Sequence, residues 1–166
     1  MSTIDNLKDA FAGESQANRK YLAFAKKAEA DGFKQVAKLF RAAAGAETIH
    51  AHAHLRVMGG IKSTAENLET ARDGEGYEFQ QMYPKFVEEA KAENNAAAVK
   101  TFEFAMAVEK VHHGLYQQAI DAVKGGKDLP AETILICPIC GNTFIGTPPE
   151  KCEVCGATKD KFSPVK

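Results

Sequence analysis

Glu14, Glu47, Glu75, Glu78 and Glu109 interrupt stripes of apolar residues that recur at helical spacing. An ionised carboxylate buried there without a partner costs several kcal/mol or takes up a proton. Two of these glutamates are followed by histidine, in Glu47-x-x-His50 and Glu109-x-x-His112, so that each pair shares one helix face a turn apart. A glutamate from each of two helices plus Glu-x-x-His from each of two others is the arrangement that holds a pair of metal ions inside a helical bundle. Two divalent ions bring about four positive charges to such a layer and so remove the cost of burying its carboxylates. The matching positions are Glu14, Glu47, His50, either Glu75 or Glu78, Glu109 and His112. His113 adjoins the same face, and the parallel with Glu47 and His50 selects His112. A lone Glu-x-x-His arises often by chance, but two copies in step with central glutamates on both partner helices do not. Tyr21 and Tyr83 lie a turn or two from these carboxylates and read equally as core aromatics or as hydroxyl donors to the ligands. His52 and His54 read as structural.

All four cysteines fall in the last thirty residues, as Cys137-Pro138-Ile139-Cys140-Gly141 and Cys152-Glu153-Val154-Cys155-Gly156. Two such turns hold one metal in a tetrahedron of thiolates, and the spacing alone admits zinc or iron. Zinc would only fold the tail. Beside a di-metal oxidation site that needs electrons, a redox-active iron has a purpose that zinc lacks.

The elements that must position these groups are four helices. Helical periodicity predicts them over about residues 4–30, 33–58, 63–92 and 95–124, with Asp31-Gly32, Gly59-Gly60, Asn94-Asn95 and Gly125-Gly126 between and after them. Ser63 and Glu66 predict a capping box at the start of the third. Pro84 predicts a kink or bulge near Tyr83 within that helix, because proline lacks an amide hydrogen and collides with the preceding turn. Glu14 precedes Glu47 by 33 residues and Glu75 precedes Glu109 by 34, so the helices form two related hairpins. The expected fold is mainly α, a four-helix bundle over residues 1–128 followed by a small four-cysteine metal-binding domain over residues 129–166. That tail is too short to fold on apolar burial alone and draws its folding energy from the metal.

Lys and Arg total 21 against 22 Asp and Glu, which gives no charge excess for nucleic acid or an anionic membrane. No apolar run approaches the roughly 20 residues needed to span a bilayer, and the first residues carry no secretory signal pattern. A cytoplasmic location is therefore expected, where paired cysteines hold metals rather than form disulfides.

Taken together, the sequence resembles the rubrerythrins, which join a ferritin-like di-iron domain to a rubredoxin-like domain. The resemblance spans essentially the whole chain and rests on Gly13-Glu14-Ser15, Glu47-Thr48-Ile49-His50, Gly74-Glu75-Gly76-Tyr77-Glu78 with Met82-Tyr83-Pro84, Glu109-Lys110-Val111-His112 and both cysteine turns. It implies two irons in the bundle, one iron at Cys137, Cys140, Cys152 and Cys155, and reduction of hydrogen peroxide to water by a diferrous centre. It further implies Glu47 and Glu109 as bridges, Glu14 and Glu75 as terminal ligands, His112 on one iron, and a second iron that moves between His50 and Glu78. An electron-donating reductase or rubredoxin is implied as partner. So is a head-to-tail homodimer in which a neighbour's tail supplies the short electron path. The competing activity within the same fold is oxidation and handling of ferrous iron.

Overall fold

The structure, a computed structural model, describes residues 2–165; Met1 and Lys166, the outer limits of the two expected domains, lie outside the described residues. Among the described residues no helix is long and apolar enough to cross a membrane. The chain forms two compact units, Met1–Lys62 and Ser63–Lys166.

The first unit is a helical hairpin of α1 (Thr3–Ala30) and α2 (Lys34–Val57). Ser2 and Asp5 cap α1 reciprocally, each side chain meeting the other's free backbone amide. Alanines make the contact between the helices: Ala37, Ala44 and Ala51, spaced by seven on α2, are buried with Ala25 and Ala28 of α1. Small side chains at that period keep one face against the partner and let the axes approach. Asn18 is the one polar side chain buried in this seam. Its amide donates to the Ala44 carbonyl at 2.7 Å and to Thr48 Oγ1 at 2.8 Å. These bonds fix the register that sets Glu14 opposite Glu47.

The second unit begins with the expected capping box, Ser63 with Glu66, at the start of α3 (Thr64–Tyr77). A π-helical segment, Glu78–Met82, follows and leads into α4 (Tyr83–Ala92). The amide of Tyr83 donates to the Glu78 carbonyl five residues back. This wide turn is the bulge that Pro84 predicts, and it lies directly before that residue, where an ordinary α-turn would meet the proline ring. Asn94, at φ 57°, ends α4 in the left-handed region, and the Asn95 side chain accepts from the Ala98 amide at the head of α5 (Ala96–Lys124). The tail then forms a sheet in the order β2-β1-β3 from β1 (Ile134–Ile136), β2 (Thr143–Ile145) and β3 (Ser163–Pro164), all antiparallel. Its core is small, with Cys137, Cys152 and Phe162 buried and Phe144 stacked on Phe162 at 4.8 Å.

The two helical hairpins repeat one another closely. Ring centroids of Tyr21, Phe24 and Phe40 lie 6.4, 6.2 and 5.6 Å apart, and those of Tyr83, Phe86 and Phe102 lie 6.3, 6.2 and 5.6 Å apart. Phe40 stands seven residues before Glu47 and Phe102 seven before Glu109, but Tyr21 follows Glu14 by seven while Tyr83 follows Glu75 by eight. The extra residue is absorbed by the π turn, and it accounts for the spacings of 33 and 34.

Replacing Asn18 by Ala removes two buried hydrogen bonds and is expected to destabilise the protein by about 1–2 kcal/mol. Denaturant unfolding monitored by helical circular dichroism measures it.

Candidate metal centres

Among the described residues three clusters of ligand atoms form, each with all of its atoms within 4.8 Å of one another: Glu14, Glu47 and His50; Glu75, Glu109 and His112; and Cys137, Cys140, Cys152 and Cys155. In the first, His50 Nδ1 lies 3.1 Å from Glu47 Oε2 and 3.7 Å from Glu14 Oε1. In the second, His112 Nδ1 lies 2.9 Å from Glu109 Oε2 and 3.8 Å from Glu75 Oε1. The paired spacing of the sequence is thus matched by paired geometry, with Nδ1 of each histidine turned to its own glutamates.

Carboxylates this close resist ionising together. Glu14 is raised, first by the hydrogen bond it shares with Glu47 and then by burial and the Glu47 charge. That same shared bond holds Glu47 below the usual range. Burial, followed by the hydrogen bond and charge of Glu109, pushes Glu75 up to about 7. Burial also raises Glu109, helped by the Glu78 charge and opposed by the bond from Glu75. In each pair the shared hydrogen bond favours a proton on one carboxyl, and a cation between the two would compete with it.

Glu78 stands outside the second cluster, at the head of the π turn, yet close enough for the Glu75 charge to add to burial in raising it. Tyr83 is raised by burial and then by Glu78, Glu109 and Glu75, so its hydroxyl faces the carboxylate layer while its ring packs on Phe86 and Phe102. Tyr21 packs on Phe24 and Phe40. His113 turns to Phe79, 5.5 Å between rings, and a side chain added at Gly76 would meet its Cδ2 at 3.2 Å. The histidine that joins the glutamates is therefore His112. Tyr116, likewise raised by burial and by Glu75 and Glu109, borders this layer. Sequence spacing shows it only as a core aromatic, although it lies seven residues beyond Glu109.

In the tail, Cys137 Sγ and Cys155 Sγ lie 3.6 Å apart, as do Cys140 Sγ and Cys152 Sγ. A tetrahedron with metal–sulfur bonds of about 2.3 Å has edges of about 3.8 Å, so the thiols are spaced for one metal rather than for disulfides. The turns close through Gly141 and Gly156, whose amides donate to Cys137 and Cys152 and whose φ values of 88° and 76° suit only glycine among common residues. Burial opposes ionisation of Cys152, but the backbone amides of Cys155 and Val154 outweigh it and draw that thiol down to about 7. Burial pushes Cys140 well up. Asn142, fully buried, reaches Cys152 Sγ at 3.8 Å with its amide and accepts the Thr143 N–H with its carbonyl.

Thr143 is the residue that sequence reading misses. Its Oγ1 lies 3.0 Å from His112 Nε2. The chain therefore runs from Cys140 through Gly141 and Asn142 to Thr143 and across one hydrogen bond to the imidazole whose other nitrogen faces Glu109. The tail thus meets α5 of its own chain at this hydrogen bond. No local pattern marks Thr143, because its partner is 31 residues away.

The donor sets fit the metals. Carboxylate oxygen with imidazole suits iron in a bundle, and four thiolates in a tetrahedron suit iron or zinc. A model of the rubrerythrin family matches residues 5–120, and one of the rubrerythrin rubredoxin-like domain matches residues 136–163. Rubrerythrin-2 of Clostridium acetobutylicum is 36% identical over 96% of this chain and 95% of its own length. Nigerythrin of Nitratidesulfovibrio vulgaris is 37% identical over 98% of this chain and 86% of its own length. Among solved structures, nigerythrin in its all-ferrous state is 36% identical, covers 99% of this chain and 87% of its own, and superposes with a TM-score of 0.60. These likenesses give the fold as ferritin-like with a rubredoxin-like tail, and the metal as iron: a di-iron carboxylate site and an iron held by four cysteines.

Stripping metal from the four cysteines is expected to unfold the tail beyond about residue 133 while the helices persist, since the tail's own core is so small. Amide exchange across residues 134–164 in chelator, with recovery on adding ferrous iron, checks this.

Proposed function

Since the chain belongs to the rubrerythrin family, we propose that it reduces hydrogen peroxide to water at the di-iron carboxylate site, with electrons arriving through the tetrathiolate iron of the tail. The observation that carries this reading is His112, which turns Nδ1 to Glu109 and offers Nε2 to Thr143 of the tail. A zinc staple has no need of such a link, whereas a one-electron carrier does.

In this reading Glu14, Glu47, Glu75, Glu109 and His112 would hold the two irons, with Glu47 and Glu109 as shared ligands, Glu14 and Glu75 as outer ones and His112 on one of them. His50 and Glu78 would be alternative ligands of the other. What supports this role for Glu78 is that it lies just outside the cluster, on a turn whose hydrogen-bond ladder is already loosened, so that approach or withdrawal costs little. Irons bound there would supply the two electrons that reduction of one peroxide requires. Two protons complete the two waters, and the Tyr83 hydroxyl, kept protonated by burial and by Glu78, Glu109 and Glu75, holds one beside the layer. Tyr21, in the matching position of the first hairpin, takes the equivalent place near Glu14. The Thr143 hydroxyl fixes the His112 tautomer and ring angle. A reductase or a separate rubredoxin refills the tetrathiolate iron from outside.

Anaerobic titration of the reduced protein tests the reading: peroxide oxidises it faster than dioxygen does, in a ratio of about three peroxides for every two di-iron sites, since each di-iron site gives two electrons and each tetrathiolate iron one. Faster reaction with oxygen, or uptake of many irons per chain, favours iron handling instead. Glu78→Ala is expected to keep the fold and slow peroxide turnover about 10-fold or more.

Thr143→Val, close in shape but unable to hydrogen-bond, is expected to slow re-reduction of the di-iron site by about 10-fold or more and to leave the spectrum of the tetrathiolate iron unchanged. Stopped-flow absorbance after one peroxide turnover reads both.

A further inference from the structure

We propose that the side-chain amide of Asn142 donates a hydrogen bond to the Cys152 thiolate and thereby raises the reduction potential of the iron in the tail. The inference rests on iron filling the four-cysteine site, and its use to the protein rests on the electron relay proposed for that iron.

Asn142 is a polar side chain fully buried in the tail, where an amide without partners would cost free energy, so its contacts show what holds it there. Its backbone carbonyl accepts the Cys137 N–H at 2.8 Å and closes the first cysteine turn. Its side chain crosses to the second. Nδ2 lies 3.8 Å from Cys152 Sγ and 3.5 Å from Glu153 Oε1, while Oδ1 accepts the Thr143 N–H at 3.1 Å. That last bond fixes which end of the amide is which. A backbone N–H only donates, so the atom facing it is the oxygen, and the NH2 group must face the sulfur. Its two hydrogens meet two acceptors, one on Glu153 and the other on Cys152.

The second turn has no such donor. Cys-x-x-Cys-Gly is followed by Asn142 in the first turn and by Ala157 in the second. The Cys152 N–H donates to the Ala157 carbonyl at 2.7 Å, just as the Cys137 N–H donates to that of Asn142. An apolar residue therefore serves equally well to close a turn of this kind. The backbone scheme is shared, and the amide that reaches across to the other turn's thiolate is the addition.

What it adds is charge stabilisation. Four thiolates around one iron carry about one net negative charge in the ferric state and about two in the ferrous state, so a donor aimed at a sulfur favours the reduced form. Two features of the tail work the other way. Cys137 and Cys152 are buried, which penalises the more highly charged state, and the Glu153 carboxylate stands nearby. The Asn142 dipole offsets both and makes the iron easier to reduce from outside. The step it serves moves one electron from the external reductase or rubredoxin to ferric iron, with no bond broken and no proton taken up.

Asn142→Leu removes the donor at little change in size. Equilibrium titration of the iron-loaded tail, in the full chain, against redox dyes reads the potential. The equilibrium constant for reduction is expected to fall about 10-fold, which for one electron is about 59 mV. A fall under about 3-fold, or a rise, overturns the proposal. Asn142 also holds Thr143, whose hydroxyl meets His112, so Thr143→Val is the control. It breaks the contact with α5 and leaves the sulfur donor in place, and the constant is expected to stay within about 3-fold of wild type. An equal fall in both variants overturns the proposal, because the effect would then come from docking of the tail. The wild-type protein gives a second measure that does not depend on either variant folding. With cadmium in place of the tail iron, a nuclear spin coupling between the metal and an Asn142 side-chain hydrogen is expected, carried through the N–H···S bond. Its absence, where couplings to backbone N–H groups are seen, overturns the proposal. None of these measurements uses peroxide. A protein that shows the expected shift and coupling but fails to reduce peroxide removes only the activity, and one that reduces peroxide while Asn142→Leu leaves the potential unchanged removes only this inference.

Discussion

Repulsion between carboxylates is the constraint on which the helical part of this molecule depends. Glu14 faces Glu47, and Glu75 faces Glu109, within each hairpin, and in each pair one carboxyl is made harder to ionise by the other. Such an arrangement weakens a helix pair considered alone. It is tolerable because the contacts that hold the helices lie elsewhere: Asn18 and the alanine seam in the first unit, and Val108, Ala119 and Ile120 among the buried residues of α5 in the second. Packing and chemistry are thus given different faces of the same helices, and metal binding releases a strain that the apolar contacts already bear.

The near-identity of the aromatic triads shows how the second hairpin departs from the first. Both place a tyrosine and two phenylalanines beside the ligands with almost the same ring separations. One residue has been added between Glu75 and Tyr83. An α-helix cannot take an extra residue without rotating everything beyond it by about 100°, which would carry Tyr83 and Phe86 off the layer. A π turn absorbs the residue and restores the phase. Glu78 opens that turn, so the surplus carboxylate and the irregular backbone are one feature.

Much of this was legible in the sequence. The glycine pairs, Asn94-Asn95 and the Ser63–Glu66 box set the helix ends, because capping and left-handed turns depend on local residue type. Pro84 marked the bulge for an equally local reason. The glutamates and His50 were legible because a charge in an apolar stripe contradicts its surroundings, and the choice between His112 and His113 followed from the repeat. The limits lie in what no periodicity encodes. Thr143 meets His112 through tertiary packing between a strand and a helix, and Tyr116 looks like any aromatic on an inner face. Chain length likewise says how far a segment can reach but not where a folded tail docks.

The two ring nitrogens of His112 make the tail and the helices interdependent. Nε2 can meet the Thr143 hydroxyl only while β2 holds its place, and β2 is held by a core of little more than Cys137, Cys152, Phe144 and Phe162. That core folds with its metal. The metal among the thiolates therefore acts on the helices as well as on the tail: by ordering β2 it supplies the partner that fixes which nitrogen of His112 faces Glu109 and at what angle. A helix histidine is thereby oriented by a domain with no residue in the carboxylate layer.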